Sequence, residues 1–135
     1  MTWTIAFSVT GDPAPQGSKR HVGNGRMVEA SKRLKPWRDL VIEAAADQAD
    51  LTDTITGPVR VHLEFRIPRP LKPKHELPIS RRAGDIDKLV RAVLDGLTIG
   101  RLIEDDSHVV NLTATKRYSP TLPGVTVYLE PLETQ

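Results

Sequence analysis

An unbroken alternation of apolar and polar residues across positions 59–67 constrains the fold of this chain more than any other feature. The apolar positions are Val59, Val61, Leu63, Phe65 and Ile67. A period of two is typical of a β-strand that buries one face. Four prolines then occur within residues 68–78, and prolines remove backbone donors and fix φ, which excludes a helix or a central strand. The pattern therefore predicts a half-buried strand followed by a stiff basic loop.

The same alternation predicts three further strands. The odd positions from Trp3 to Val9 are apolar and indicate a first strand. Two final strands are indicated over residues 109–112 and 125–129. The Pro and Gly residues between them favour an antiparallel pair.

Helical spacing of apolar residues predicts two helices. The first covers residues 31–49, and Pro36 is tolerable there only if it lies within the first turn. The preceding residues 11–30 are rich in Gly and basic side chains and are expected to form a mobile basic loop or a loose hairpin. The second helix begins its apolar face at Ile86 and is expected to stop within residues 96–100.

Length limits the architecture that these elements can build. A chain of 135 residues suits one domain with a modest core and leaves no room for a second module. The predicted order β-α-β-α-β-β indicates an α+β fold. We expect a single small domain over residues 1–135, with a mixed sheet packed by two main helices.

The charges of the chain are unevenly distributed, although the net charge is only +2. Residues 11–38 carry seven basic and two acidic side chains, and residues 60–82 again carry seven basic and two acidic ones. The basic side chains are therefore gathered in two segments, which suits a polyanion such as nucleic acid. A mixed surface charge of this size also serves solubility, so the distribution alone favours neither explanation.

The absence of cysteine excludes disulfides, zinc-thiolate sites and thiol nucleophiles, and is consistent with a reducing compartment. No stretch approaches the ~20 apolar residues of a membrane span. The amino terminus has no charged region followed by an apolar one. The expected location is the cytoplasm, without membrane association.

Five carboxylates lie at the two ends of the segment formed by residues 85–106. They are Asp85, Asp87, Glu104, Asp105 and Asp106. Carboxylates in one neighbourhood repel each other unless a cation lies among them, and oxygen ligands suit Mg²⁺ or Mn²⁺. The segment therefore predicts a hard-metal site.

The second helix also has a purely structural explanation. Asp87, Arg91 and Asp95 share one helix edge, so each aspartate can pair with the arginine at i, i+4. Asp85 can cap the helix start and favour its dipole. For any one residue this explanation is the commoner one. It does not require a second acidic group at residues 104–106, and two converging carboxylate clusters favour a metal site.

Other catalytic motifs are missing from the sequence. An Asp-x-Asp pair alone is weak evidence, because it also occurs in glycosyltransferases, phosphatases and polymerases. The chain has no Gly-rich phosphate loop and is short for a nucleotide-binding domain, which argues against a nucleotide-sugar transferase. The four histidines are scattered, and none is assigned to the metal.

Two segments, Gly84–Leu97 and Leu102–Val110, carry a specific succession of motifs. They contain Asp-Ile-Asp-Lys-Leu-Val-Arg, then Asp-Gly-Leu, then Asp-Asp-Ser-His-Val. This succession resembles the Asp-x-Asp-Asn-Leu-x-Lys, Asp-Ala/Gly-Leu and Asp-Asp-x-x-Val motifs of the RusA-type Holliday junction resolvases. These are small metal-dependent endodeoxyribonucleases common in phages and prophages. Weaker similarity extends over most of the chain, which implies a RusA-like fold.

Matched position by position, the resemblance implies a metal centre. Its metal-binding catalytic carboxylates are Asp85, Asp87 and Asp106, with Asp105 as a neighbour. The implied cofactor is Mg²⁺, with Mn²⁺ able to substitute. The implied reaction is phosphodiester hydrolysis that leaves 5′-phosphate and 3′-hydroxyl ends. The family acts as homodimers, which suits a four-way junction because two symmetric sites can nick opposing strands as a pair.

The two cations of the motif depart from the family pattern. Arg91 stands at the position of the family's catalytic lysine, and an arginine stays charged and clamps phosphate better than it donates a proton. Lys88 stands at the asparagine position and can supply the ammonium, since i and i+3 are neighbours on a helix. The catalytic roles of Lys88 and Arg91 are therefore interchangeable at this point.

Basic residues of the two basic segments are candidates for DNA phosphate contacts. They are Lys19, Arg20, Arg69, Lys72, Lys74, Arg81 and Arg82. The resemblance implies resolution of Holliday junctions in DNA recombination and repair, in the bacterial host cytoplasm if the chain is phage-encoded. Two alternatives stay open: a branched-DNA or flap nuclease without four-way selectivity, and a non-catalytic DNA-binding module with a degenerate metal site.

Overall fold

Two helices cover one face of a four-stranded mixed sheet in the computed structural model, which describes residues 3–17 and 25–133, with the backbone alone for residues 25–31. The elements follow the order β1 (Ile5–Thr10), α1 (Gly25–Thr52), β2 (Val59–Ile67), α2 (Ile86–Ile99), β3 (Val109–Tyr118) and β4 (Gly124–Pro131). A short 3₁₀ helix, Asp106–His108, leads into β3. The expected α+β class and its β-α-β-α-β-β order are confirmed.

The sheet has the strand order β1-β4-β2-β3. β2 pairs in parallel with β3 and antiparallel with β4, and β1 pairs antiparallel with β4. The predicted pairing of the last two strands with each other is therefore wrong, because β2 lies between them. The chain after β3 crosses the end of β2, where the Ser119 amide donates to the Ile67 carbonyl at 2.8 Å.

The core forms between the alternate side chains of β2 and the inner faces of both helices. The five predicted apolar positions of β2 are at most 4% exposed. The helices contribute Trp37, Val41, Ala45, Leu89, Val93 and Leu97, all buried. Apolar surface is thus gathered on one side of the sheet, which is the main stabilising contribution to such a fold. No helix within the described ranges is long and apolar enough to cross a membrane.

The first helix is longer than the sequence pattern predicts. It covers Gly25–Thr52, so the loop expected to extend to residue 30 ends earlier, and Pro36 lies well inside the helix instead of in its first turn. Residues 26–30 are mostly good helix formers, which permits the extension. Pro36 removes one backbone hydrogen bond, but the packing of Trp37 and Val41 beyond it stabilises the continuing helix.

The close approach of the two helices depends on two glycines, one within α2 and one at its end. A Cβ atom at Gly96 would lie 2.5 Å from Val41 Cγ1, and one at Gly100 would lie 2.8 Å from both the Ile42 carbonyl oxygen and Ala45 Cβ. Gly100 also ends α2, donating its amide to the Gly96 carbonyl. The position of α2 on the sheet is therefore set against α1 by backbone contact.

Gly100→Ala is expected to lower the free energy of unfolding by about 1–3 kcal/mol, because the added methyl group forces the helix backbones apart. Gly57→Ala is the matched control, since a Cβ there meets nothing within 4 Å. Urea denaturation of both variants and the wild type measures the effect. Equal stability of the two variants would contradict the helix contact.

Candidate functional site

The chain just before α2 is held in one conformation from two sides. Gly84 has φ +90°, a conformation that side-chain-bearing residues rarely adopt. A Cβ there would lie 3.1–3.3 Å from the ring of Pro15. The Gly84 carbonyl accepts a hydrogen bond from Lys116 Nζ at 2.7 Å. The start of α2 is thus fixed between the loop after β1 and the strand β3.

The carboxylate of Asp85 is not used by the helix that it begins. Asp85 occupies the N-cap position, and its backbone carbonyl accepts from the amides of Lys88 and Leu89. Its side chain makes no capping hydrogen bond and is 71% exposed, with Lys88 Nζ at 3.5 Å. A helix start also favours negative groups. Because this carboxylate does not cap the helix, its oxygens are accessible to a further ligand.

The two i, i+4 ion pairs that a purely structural explanation expects, Asp87 with Arg91 and Asp95 with Arg91, are not formed. Among the residues that the structure describes, the side chain of neither Asp87 nor Arg91 makes a hydrogen bond or an ion pair, and both residues are exposed. Asp95 instead accepts a hydrogen bond from Gln16 Nε2 at 2.6 Å. Asp87 and Arg91 are therefore available to a cation and to an anion respectively, one helical turn apart.

Gln16 is a site-positioning residue that the sequence pattern did not reveal. Its amide donates to the Lys88 carbonyl at 3.0 Å, and its side chain joins Asp95 of α2 to Arg38 of α1, whose Nη1 lies 3.3 Å from Gln16 Oε1. Lys116 was also missed. Both residues act through contacts distant in sequence, and neither belongs to a spaced motif, so no local signal could have identified them.

The second acidic group lies towards the other end of β3. Asp106 precedes the first residue of β3, Val109, by three positions, whereas Gly84 is held by Lys116 near the strand's end. A strand rises about 3.3 Å per residue, which separates Val109 from Lys116 by about 23 Å. The described parts of the chain contain no group of three or more His, Cys, Asp or Glu side chains that could hold a metal ion. One chain in this conformation therefore does not bring the two acidic groups into a ready-made metal site.

Asp105 is exposed and caps the 3₁₀ helix. Its carboxylate accepts hydrogen bonds from the hydroxyl and, at 3.1 Å, from the amide of Ser107. The hydroxyl hydrogen bond is the largest cause that lowers the pKa of Asp105, followed by the amide hydrogen bond, with a smaller contribution from the charge of His108. Asp105 therefore stays ionised to lower pH than an ordinary aspartate.

Ser107→Ala is expected to raise the pKa of Asp105 towards its ordinary value, since the stronger of the two hydrogen bonds to the charged form is lost. The wild-type carboxylate then loses its charge at lower pH than the variant. A carbon-detected NMR titration of the Asp105 carboxyl group measures both values. An unchanged or lower pKa in the variant would contradict this assignment.

The donor chemistry of the α2 start suits a divalent cation. Asp85 and Asp87 offer exposed carboxylate oxygens. Mg²⁺ usually keeps several waters and is bound through one or two carboxylates together with substrate phosphates, so it does not need a complete protein cage. These two residues therefore fit the ion by ligand type and by accessibility.

The predicted DNA-contacting residues that the structure describes are all exposed. They are Arg69, Lys72, Lys74, Arg81 and Arg82. Lys19 and Arg20 lie outside the described residues. The two basic segments meet at Asp12, which lies 3.0 Å from Arg82 Nη2 and 3.6 Å from Arg33 Nη2. Basic surface is thus placed next to the start of α2.

Comparison with known proteins supplies an independent observation. The family model described as "Endodeoxyribonuclease RusA" matches residues 10–130. The matched span includes both helices, both acidic groups and the proline-rich basic loop. A search of curated proteins finds no match.

Proposed function

The chain belongs to the RusA endodeoxyribonuclease family, and from this premise we propose that it is a metal-dependent enzyme that resolves Holliday junctions by paired phosphodiester hydrolysis. The observation that carries the proposal is the start of α2, where two exposed carboxylates and two cations lie beside converging basic segments. We place its action in recombination and repair, in the cytoplasm of a bacterial host as a phage-type protein.

We assign metal binding to Asp85, Asp87 and Asp106, with Asp105 beside Asp106. A bound Mg²⁺, or Mn²⁺ in its place, supplies positive charge against a phosphate oxygen and lowers the pKa of water. Asp85 and Asp87 are suited to this role because the helix uses neither carboxylate. Asp105 is suited to a supporting role, since Ser107 already occupies one of its oxygens.

Lys88 and Arg91 share the charge stabilisation at the phosphate. Lys88 Nζ lies 3.5 Å from the Asp85 carboxylate, which places an ammonium beside the proposed ligands and favours Lys88 for the lysine role of the family. Arg91 is exposed and is without an ion pair among the described residues. A guanidinium in that position suits bidentate binding of a phosphate.

A homodimer is supported by the exposed edge of the sheet. β3 pairs with β2 alone and is an edge strand, and Val110 and Leu112 on it are 63% and 42% exposed. An exposed edge strand with apolar side chains is a surface on which a second chain can pair. Antiparallel pairing of β3 with its copy brings the beginning of one strand beside the end of the other. Such pairing would place the Asp106 segment of one chain towards the α2 start of its partner.

A DNA-binding module without catalysis is the second candidate. The observation that favours it is that the side chains described by the structure, those of residues 3–17 and 32–133, contain no group of three metal ligands. The departures at Lys88 and Arg91 point the same way. Measurable cleavage would eliminate this candidate.

Cleavage of a labelled four-way junction in Mg²⁺ or Mn²⁺ tests the proposal, with linear duplex, flap and fork as comparison substrates. The wild type is expected to introduce paired symmetric nicks in the junction. Asp87→Asn is expected to cut at least about 100-fold more slowly while still binding, because the variant loses a ligand of the metal that stabilises the charge at the reacting phosphate. Asp47→Asn, an exposed aspartate on α1, is the matched control and should cut normally.

Each other outcome has a distinct meaning. Equal cutting of junction, flap and fork would replace junction resolution with a general branched-DNA nuclease. Binding without cutting in either metal would support the non-catalytic module. Full activity of Asp87→Asn would contradict the metal-ligand assignment.

A further inference from the structure

Two adjoining cavities lie beside the chain that leads into α2. They have volumes of about 310 and 370 Å³, and Arg69 and Tyr118 line both. Together they form what we call the Tyr118 cleft. Its size lies within the range of small-ligand sites, which is about 300–1,000 Å³.

The walls of the Tyr118 cleft carry both apolar and polar side chains. One cavity is lined by Ile67, Pro68, Pro70 and Ala83, beside Ser80 and Arg82. The other is lined by Lys74, His75 and Glu76. A flat group with apolar faces and polar edges matches such a lining better than a bare phosphate does.

Tyr118 presents an aromatic ring to this space. It is the last residue of β3 and pairs with Ile67, which is buried on the helix-facing side, so the Tyr118 side chain lies on that side as well. The residue is half-buried, and its hydroxyl has no hydrogen-bond partner in the described part of the chain. Aromatic side chains that are partly exposed, as Tyr118 is, stack readily on unpaired bases.

The charge of the cleft favours a polyanion. Arg69, Lys74 and Arg82 line it, with Glu76 as the acidic residue among its lining. Arg82 is held by Asp12 at 3.0 Å, whereas Arg69 is exposed and makes no ion pair with the side chains of residues 3–17 and 32–133. Arg69 is therefore available to cover a base or to contact its phosphate.

The position of the cleft links it to the proposed reaction. Ala83 in its wall precedes Asp85 by two residues, which is about 7 Å of extended chain. Successive nucleotides of one strand are about 3.4 Å apart along duplex DNA. A nucleotide in the cleft therefore lies within a few nucleotides of a phosphate at the α2 start.

We propose that the Tyr118 cleft receives a nucleobase unstacked from the DNA strand next to the cleaved phosphate, with its face on Tyr118 and its outer side covered by Arg69. This inference rests on the proposed function and adds a base-binding site to it. Bases at a branch point have lost a stacking neighbour and are the least costly to extrude.

A double-mutant cycle that combines protein variants with abasic DNA tests the base-binding site. The parent protein is Asp87→Asn, in which cleavage does not interfere with the binding measurement. Its binding is measured to an intact junction and to a set of junctions that each carry one abasic nucleotide at a different position near the branch. Tyr118→Ala is expected to weaken binding of the intact junction at least about five-fold, the loss of one stacked base. At one abasic position that difference should vanish, because the base is already missing. Tyr118→Phe should bind like the parent, since it keeps the aromatic face.

Controls separate this site from folding and from the wider function. Tyr128→Ala removes a half-buried tyrosine on the opposite face of the sheet and should show no position-dependent effect. If Tyr118→Ala does not fold, Arg69→Ala in the same cycle and the abasic scan of the parent replace it. If Tyr118→Ala weakens binding by the same factor at every abasic position, the cleft contacts phosphates alone. That result would overturn the base site while leaving junction binding intact. Absence of junction binding in the parent would overturn both proposals.

Discussion

The buried face of β2 is the constraint on which the rest of this structure depends. Its five alternate side chains fill the space between the sheet and the helices, and both of its edges are paired. Because β3 runs parallel to β2, the chain must return from the end of β2 to the beginning of β3, and α2 makes that return. The start of α2 therefore lies at the carboxyl ends of the two parallel strands. Ligands of α/β units commonly bind at such ends, close to a helix amino terminus.

Contacts from three directions keep that helix start in place. α1 approaches the other end of α2 closely enough that Gly100 has no space for a side chain. Gln16 connects α2 to the loop after β1 and to α1, and Lys116 holds the Gly84 carbonyl from β3. Because these contacts position the helix, the carboxylates of Asp85 and Asp87 are not needed to stabilise it. The exposed charges of the motif are thus presented by a rigid support, which is the arrangement that precise phosphate chemistry requires.

Local patterns predicted the elements, and long-range contacts decided what local patterns could not. The alternation over residues 59–67 identified β2 with its correct bounds, and the apolar face from Ile86 identified α2, since both elements bury one continuous face. The early start of α1 was missed because turn-forming glycines before it outweighed the helix formers that follow. The false pairing of β3 with β4 arose because sequence proximity says nothing of a third strand lying between two neighbours.

At the candidate site too, local patterns predicted some features and long-range contacts decided others. The family motif identified the charged residues, and the exposure of Asp85 and Asp87 suits the roles assigned to them. Their separation from the Asp106 segment along β3 was invisible in the sequence, because spacing along the chain does not give the direction of a strand. The contributions of Gln16 and Lys116, and the cleft around Tyr118, likewise depend on tertiary contacts.

Direct binding of Mn²⁺ tests whether the α2 start holds the divalent cation. Electron paramagnetic resonance of free Mn²⁺ during a protein titration measures the affinity without requiring cleavage. Replacing both Asp85 and Asp87 by Asn is expected to weaken Mn²⁺ binding at least about 10-fold, whereas replacing the exposed Asp47 and Asp50 of α1 by Asn should leave it unchanged. Equal affinity of the Asp85 and Asp87 double variant and the wild type would show that the α2 start does not hold the cation.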